Sequence, residues 1–201
     1  MRLFGYALIG IILTLIVAMG ASASPVTNPE IVRLMCTATD NQDFSIFNPA
    51  ELPAILIDLI RNDPPDAPLH ERVVQSALKA LGTMHVAEAV PVLIEKIPEY
   101  STICIFWLGT FADPAAVNAL VGSLDDEDAS VRCEAADALG RVPAPDKDAP
   151  DRDYVQSLID ALTAVAERVG IEEDDDVKKA LETATLHLMD LVLEPGTAQG
   201  Q

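Results

Sequence analysis

The 201-residue chain is short of lysine and of aromatic rings. Five of its 13 basic residues are Lys, set against 32 Asp and Glu, and the formal net charge is −19. A surface this negative repels nucleic-acid phosphates and anionic lipid headgroups, which argues against both as partners. It fits a well-solvated surface, adaptation to salt, a basic protein partner or loose cation binding. Aromatic residues are 4 % of the chain, while apolar residues are half of it. Packing therefore falls to Ala, Leu, Ile and Val, and alternation of β-branched residues is scarce. That composition suits small-residue contact of helix on helix.

Other scarcities remove function classes. The three cysteines, Cys36, Cys104 and Cys133, do not make a disulfide framework; one pair plus a free thiol, or three reduced thiols, both remain open. Cys104 and Cys133 lack a His or basic neighbour at helical spacing that would activate a thiolate. No Gly-rich phosphate loop, no Gly-x-Ser-x-Gly element and no Asn-x-Ser/Thr acceptor occurs. The acidic runs lack the turn Gly and spaced ligands of a Ca²⁺ loop. His70-Glu71 is the one His-Glu pair, and His85 and His187 have no adjacent Glu. The residues therefore assign no catalytic group, no metal and no cofactor.

The N-terminus carries an address. Arg2 precedes an apolar stretch from Leu3 to Met19, and Ala21-Ser22-Ala23 follows as a small-x-small cleavage pattern. Residues 1–23 are expected to be a secretory signal, or an uncleaved anchor through residues 3–19, so the protein is expected to be exported to a periplasmic or extracellular space. A membrane is a partner only if that segment stays attached. Residues 24–47 are expected to pack on the domain that follows, and 191–201 to form a flexible tail.

Between them the chain repeats itself. "RVVQSALKALG", "YSTICIFWLG" and "SVRCEAADALG" end at Gly82, Gly109 and Gly140, 27 and 31 residues apart. Counting back from each Leu, Ala77, Cys104 and Ala135 stand at the same offset, and Val73, Tyr100 and Val131 one turn earlier. Each segment is expected to be a helix with one buried stripe. Val90, Leu93 and Ile97 after the first, Val117, Leu120 and Leu124 after the second, and Val155, Leu158 and Leu162 after the third mark a second helix. "NPAELPAILIDLI" is one more copy of it. The Gly after each first helix is expected to adopt a left-handed cap, and Asp113-Pro114 to start a helix.

"DDEDASVRCEAADALGRV" and "FADPAAVNALVGSL" resemble the short HEAT-like repeats of the phycobilisome-lyase type, over roughly residues 48–190. The resemblance implies an all-α fold: a right-handed α-solenoid of about three to four HEAT-like helix pairs after the N-terminal signal segment. It implies a scaffold that holds other proteins. Two enzymatic relatives exist, a bilin lyase and a di-iron hydroxylase whose sites use several His-Glu pairs. The last copy, "DDDVKKALETATLHL", is degenerate, with Thr185 at the anchor position, as the polar end of an array would be.

The register then maps a surface. The acidic turns at 61–68, 125–130 and 172–176 should share one edge, and the Pro-rich insert at 143–150 the other. Where other copies place Ser76 and Lys79, or Glu134 and Asp137, the second copy has Ile103 and Phe106, with Glu99 on the same line and Trp107 replacing a small residue. Ile103, Phe106, Trp107 and Glu99 are the candidate protein-interface residues, covered by residues 24–47, by another protein or by a second copy. The reading is an exported, non-catalytic HEAT-repeat scaffold. An enzyme or enzyme subunit, and a structural domain without a dedicated ligand, are the alternatives.

Overall fold

The computed structural model of the chain describes residues 52–62 and 70–193. The signal segment 1–23, the segment 24–47, most of the turn at 61–68 and residues 194–201 lie outside that range. The described residues form eight helices and no strand: α1 (Leu52–Asn62), α2 (His70–Met84), α3 (Ala89–Glu95), α4 (Ile97–Leu108), α5 (Pro114–Ser123), α6 (Ala129–Leu139), α7 (Arg152–Val169) and α8 (Asp175–Leu193). "TICIFWL" (102–108) is thus helical, as the repeat register requires and its local β-propensity does not. The chain divides into two compact units, Met1–Val86 and Ala87–Gln201.

In the first unit α1 packs on α2. Leu52, Leu56, Leu59 and Ile60 make the buried stripe of α1; Val73, Val74, Ala77, Leu78 and Leu81 make that of α2. These spacings of three and four residues are what one helical face needs. α2 does not stop at Gly82 but runs on to Met84. The left-handed residue is His85, at φ 50°. Its backbone N–H donates to the Gly82 carbonyl at 3.1 Å.

In the second unit the helices form two rows. α4 packs on α6 and α6 on α8; α3 packs on α5 and α5 on α7; α3 with α4, α5 with α6 and α7 with α8 close the rows on each other. Leu108, Leu120, Leu139, Leu158, Leu181 and Leu188 are fully buried between them. Small residues (Ala116, Ala135, Ala136, Ala138, Ala161, Ala184) fill the close contacts. This is the helix-pair stacking of a solenoid.

Much of the acidity has a local job. Asp113 accepts from the N–H groups of Ala115 and Ala116, Asp128 from Ser130, Asp151 from Asp153 and Tyr154, and Asp174 from Asp176 and Val177. Each satisfies otherwise orphaned donors at a helix start and places negative charge at the positive end of the helix dipole. The expected Asp113-Pro114 start is among them.

The repeat glycines correct one expectation. Gly109 and Gly140 lie at φ −64° and −69°, in right-handed conformation, so neither is a left-handed cap. Gly109 serves packing instead. A Cβ there would stand 2.8 Å from the Ala138 carbonyl oxygen and 2.9 Å from the Ala138 Cβ. Absence of a side chain lets the end of α4 touch α6.

α8 also departs from expectation. It continues through Leu193, three residues into the expected tail, because Leu191 is buried on its inner face. Leu186, Met189 and Leu193 face outward and are exposed, so the end of the array is not uniformly polar.

Candidate functional site

α4 carries the four candidate residues, and it is not one straight helix. Tyr100 has non-helical dihedrals, φ −137° and ψ 46°, and Pro98 follows directly after the first residue of the element. Proline suits a helix start, so the kink divides a short N-terminal turn from the segment 101–108. Glu99 lies on the far side of that kink from Ile103, and its two carboxylate oxygens accept from Lys96 Nζ at 3.2 Å. Helical spacing alone therefore does not align Glu99 with the other three.

Beyond the kink, Cys104, Ile105 and Leu108 point into the core. Ile103 and Trp107 are half-buried, and Phe106 is 44 % exposed. The Phe106 and Trp107 rings meet edge to face, with centroids 5.1 Å apart and planes at 89°. That arrangement matches ring edge to ring face electrostatically and fixes both side chains. Thr110 donates through Oγ1 and through its N–H to the Trp107 carbonyl, at 2.7 and 2.9 Å, which ties off the helix end beneath the rings.

Arg141 completes the site and was not among the candidates. It follows Gly140 at the end of α6, and its guanidinium carbon lies 4.7 Å from the Phe106 ring centroid, a cation–π contact. The close approach at Gly109 brings α6 near enough to α4 for this. Nε and Nη2 of Arg141 are buried and have no hydrogen-bond partner among the described residues. The signal for Arg141 was its register: it stands two residues past the anchor Leu, like Thr110 and His187. His187 likewise reaches back to the preceding repeat, its Nε2 lying 2.9 Å from the Val142 carbonyl.

The other sequence-derived groups sit elsewhere. The acidic turns at 125–130 and 172–176 are brought together, but Glu172 is no solvated ridge residue. It is buried, with Oε1 and Oε2 each 2.9 Å from Arg132, Oε2 3.0 Å from Arg168 Nη2, and Oε1 taking the N–H groups of Glu173 and Asp174. Arg132 also donates to the carbonyls of Asp126 and Glu127, and Arg168 pairs with Asp125 at 3.1 Å. The Arg132 guanidinium, helped by the Asp174 N–H and Arg168 and opposed by burial, holds the Glu172 carboxyl down at about 2. Cys104 is fully buried, and desolvation pushes its thiol up to about 12. Cys133 is half-buried and raised too, by burial first and then by Asp137 and Glu134. Glu71 accepts from Gln75 within α2.

No described helix is long and apolar enough to cross a membrane. Among the described residues no group of three or more His, Cys, Asp or Glu is arranged to hold a metal ion.

A family model described as HEAT repeats matches residues 98–185, which spans α4 to α7 and the first part of α8. No curated protein and no solved structure matches the chain.

Proposed function

For a chain that carries HEAT repeats over residues 98–185, we propose an exported, non-catalytic scaffold that docks another protein on the Ile103–Phe106–Trp107 face of α4. One observation carries the reading. Phe106 is 44 % exposed, at a register position where the neighbouring copies place Lys79 and Asp137. A helical repeat array gains nothing from an ordered aromatic pair in water, whereas aromatic residues beside arginine are the commonest anchors of protein interfaces. Covering the exposed part of Phe106 contributes about 1 kcal/mol, roughly half the value for a whole buried ring. Export rests on Arg2, the apolar stretch to Met19 and the Ala21-Ser22-Ala23 pattern. The non-catalytic reading is supported by two thiols whose pKa values are raised rather than lowered.

The test is Phe106→Lys. The variant is expected to melt slightly below the wild type, because it gives up the Trp107 and Arg141 contacts of the ring, and to lose an association seen for the wild type by size exclusion and pull-down from the native periplasmic or secreted fraction. Unchanged association, or a variant that melts far below the wild type, refutes the docking face.

A further inference from the structure

We propose that Arg141 and Phe106 form a receptor for a single carboxylate, so that the docked protein presents one Asp or Glu side chain beside an apolar one. This rests on the docking-face reading and specifies its chemistry.

The two other arginines near the ends of these repeats are fully engaged: Arg132 and Arg168 share Glu172, and each has a further acceptor. Arg141 differs. Among the described residues its Nε and Nη2 have no acceptor, in a chain with 32 acidic residues. Buried donors are nearly always satisfied, so a missing partner belongs to the state in which this arginine functions. Nε–H and Nη2–H form the planar edge that matches a carboxylate with two parallel hydrogen bonds. Phe106 supplies the adjacent surface: the guanidinium lies over the ring at 4.7 Å, and the rest of the ring is open to an apolar side chain. Nε and Nη2 are covered in the free protein, so the proposal requires the guanidinium to turn about its own stem when the acceptor binds.

Charge selects the partner. A protein approaching a chain of net charge −19 is favoured if it is basic overall, and only a lone carboxylate within that basic surface escapes the general repulsion. A second copy would bring its own excess of negative charge. A phosphate would meet the same field with more charge than a carboxylate.

Trp107 is the only Trp and touches Phe106, so its emission reports on the site. The probes are two blocked peptides, acetyl-Lys-Leu-Glu-Leu-Lys-amide and its Gln counterpart, titrated into the full chain. The Glu peptide is expected to change Trp107 emission saturably and to bind roughly tenfold or more tighter than the Gln peptide, the range for hydrogen bonds to a charged group. Arg141→Gln should abolish that preference, and Arg141→Lys, which keeps charge without the fork, should restore part of it, with far-UV circular dichroism unchanged for both. Equal binding of the two peptides, or no response to either, overturns the inference. So does a preference that survives Arg141→Gln, or displacement of the Glu peptide by equimolar inorganic phosphate. A concentration-dependent dimer lost in Arg141→Gln overturns it by making a second copy the occupant. If Phe106→Lys removes association with the native partner while Arg141→Gln does not, the docking face stands and the carboxylate receptor falls.

Discussion

Gly109→Ala puts the packing argument at risk most directly. The backbone there is right-handed, so alanine is sterically allowed, and lower chain entropy in the unfolded state would favour it by about 0.4–1 kcal/mol. Space is the obstacle. The new Cβ would lie 2.8, 2.9 and 3.0 Å from the carbonyl oxygen, Cβ and Cα of Ala138. None of these is the end of a flexible side chain, so α4 and α6 must separate by several tenths of an ångström. Forced separation of a packed contact costs about 1–3 kcal/mol. The balance is a loss of about 1–2 kcal/mol. Gly122 in α5 has nothing within 4 Å of its Cβ position, so Gly122→Ala should instead gain about 1 kcal/mol from helix propensity. Gly140, with its nearest neighbour at 3.4 Å, should fall between them. Urea unfolding followed by Trp107 fluorescence, with far-UV circular dichroism alongside, measures all three. If Gly109→Ala raises the midpoint as Gly122→Ala does, the claim that this glycine exists for the approach to Ala138 is wrong.

Other outcomes follow from named contacts. Glu172 has its carboxyl depressed from 4.5 to about 2 in the folded state, so its stabilisation is complete above about pH 4.5 and is lost as the pH falls towards 2. Glu172→Gln should lower stability at neutral pH and flatten the decline across that window in an acid titration; an unchanged slope would show that Glu172 does not drive it. Tyr154→Phe removes the 2.7 Å hydrogen bond from the phenol to the Pro143 carbonyl, with an expected loss of about 0.5–1.5 kcal/mol. Amide exchange should quicken in the insert at 143–150, and exchange equal to wild type would contradict that role. In a Cys36→Ser background, a thiol reagent at pH 8 should react with Cys133 alone until denaturant is added, because Cys104 is buried and protonated. Two reacting thiols in the native protein would refute this.

The helices were legible because the Leu-Gly register recurs and the apolar offsets around it are helical. The register places residues 102–108 in a helix despite their β-branched and aromatic side chains. It misread the glycines, since a Gly at a helix end has two uses and only the neighbouring helix distinguishes them. At Gly82 the positive dihedral had moved three residues on, to His85. The kink at Tyr100 was signalled by Pro98, but the repeat alignment ran across it. Phe106 was found by comparing copies. Arg141 was missed because the comparison beyond each anchor Leu followed the apolar positions alone, and an unsatisfied guanidinium edge is a property of three dimensions. The acidic turns were expected only to share an edge because sequence shows charge but not that Arg132 and Arg168 fold onto Glu172.

Within residues 87–201, the main packing contacts join each helix only to those one or two places away in the chain. Cooperativity in such an array is passed from neighbour to neighbour instead of being shared by one common core. Within this unit α3 and α4 can therefore open while α7 and α8 stay closed, with a free energy below that of global unfolding. A ligand on Phe106 and Arg141 would grip both α4 and the end of α6. It would act as a clasp on the joint between α4 and α6, slowing amide exchange there and leaving α7 and α8 almost untouched.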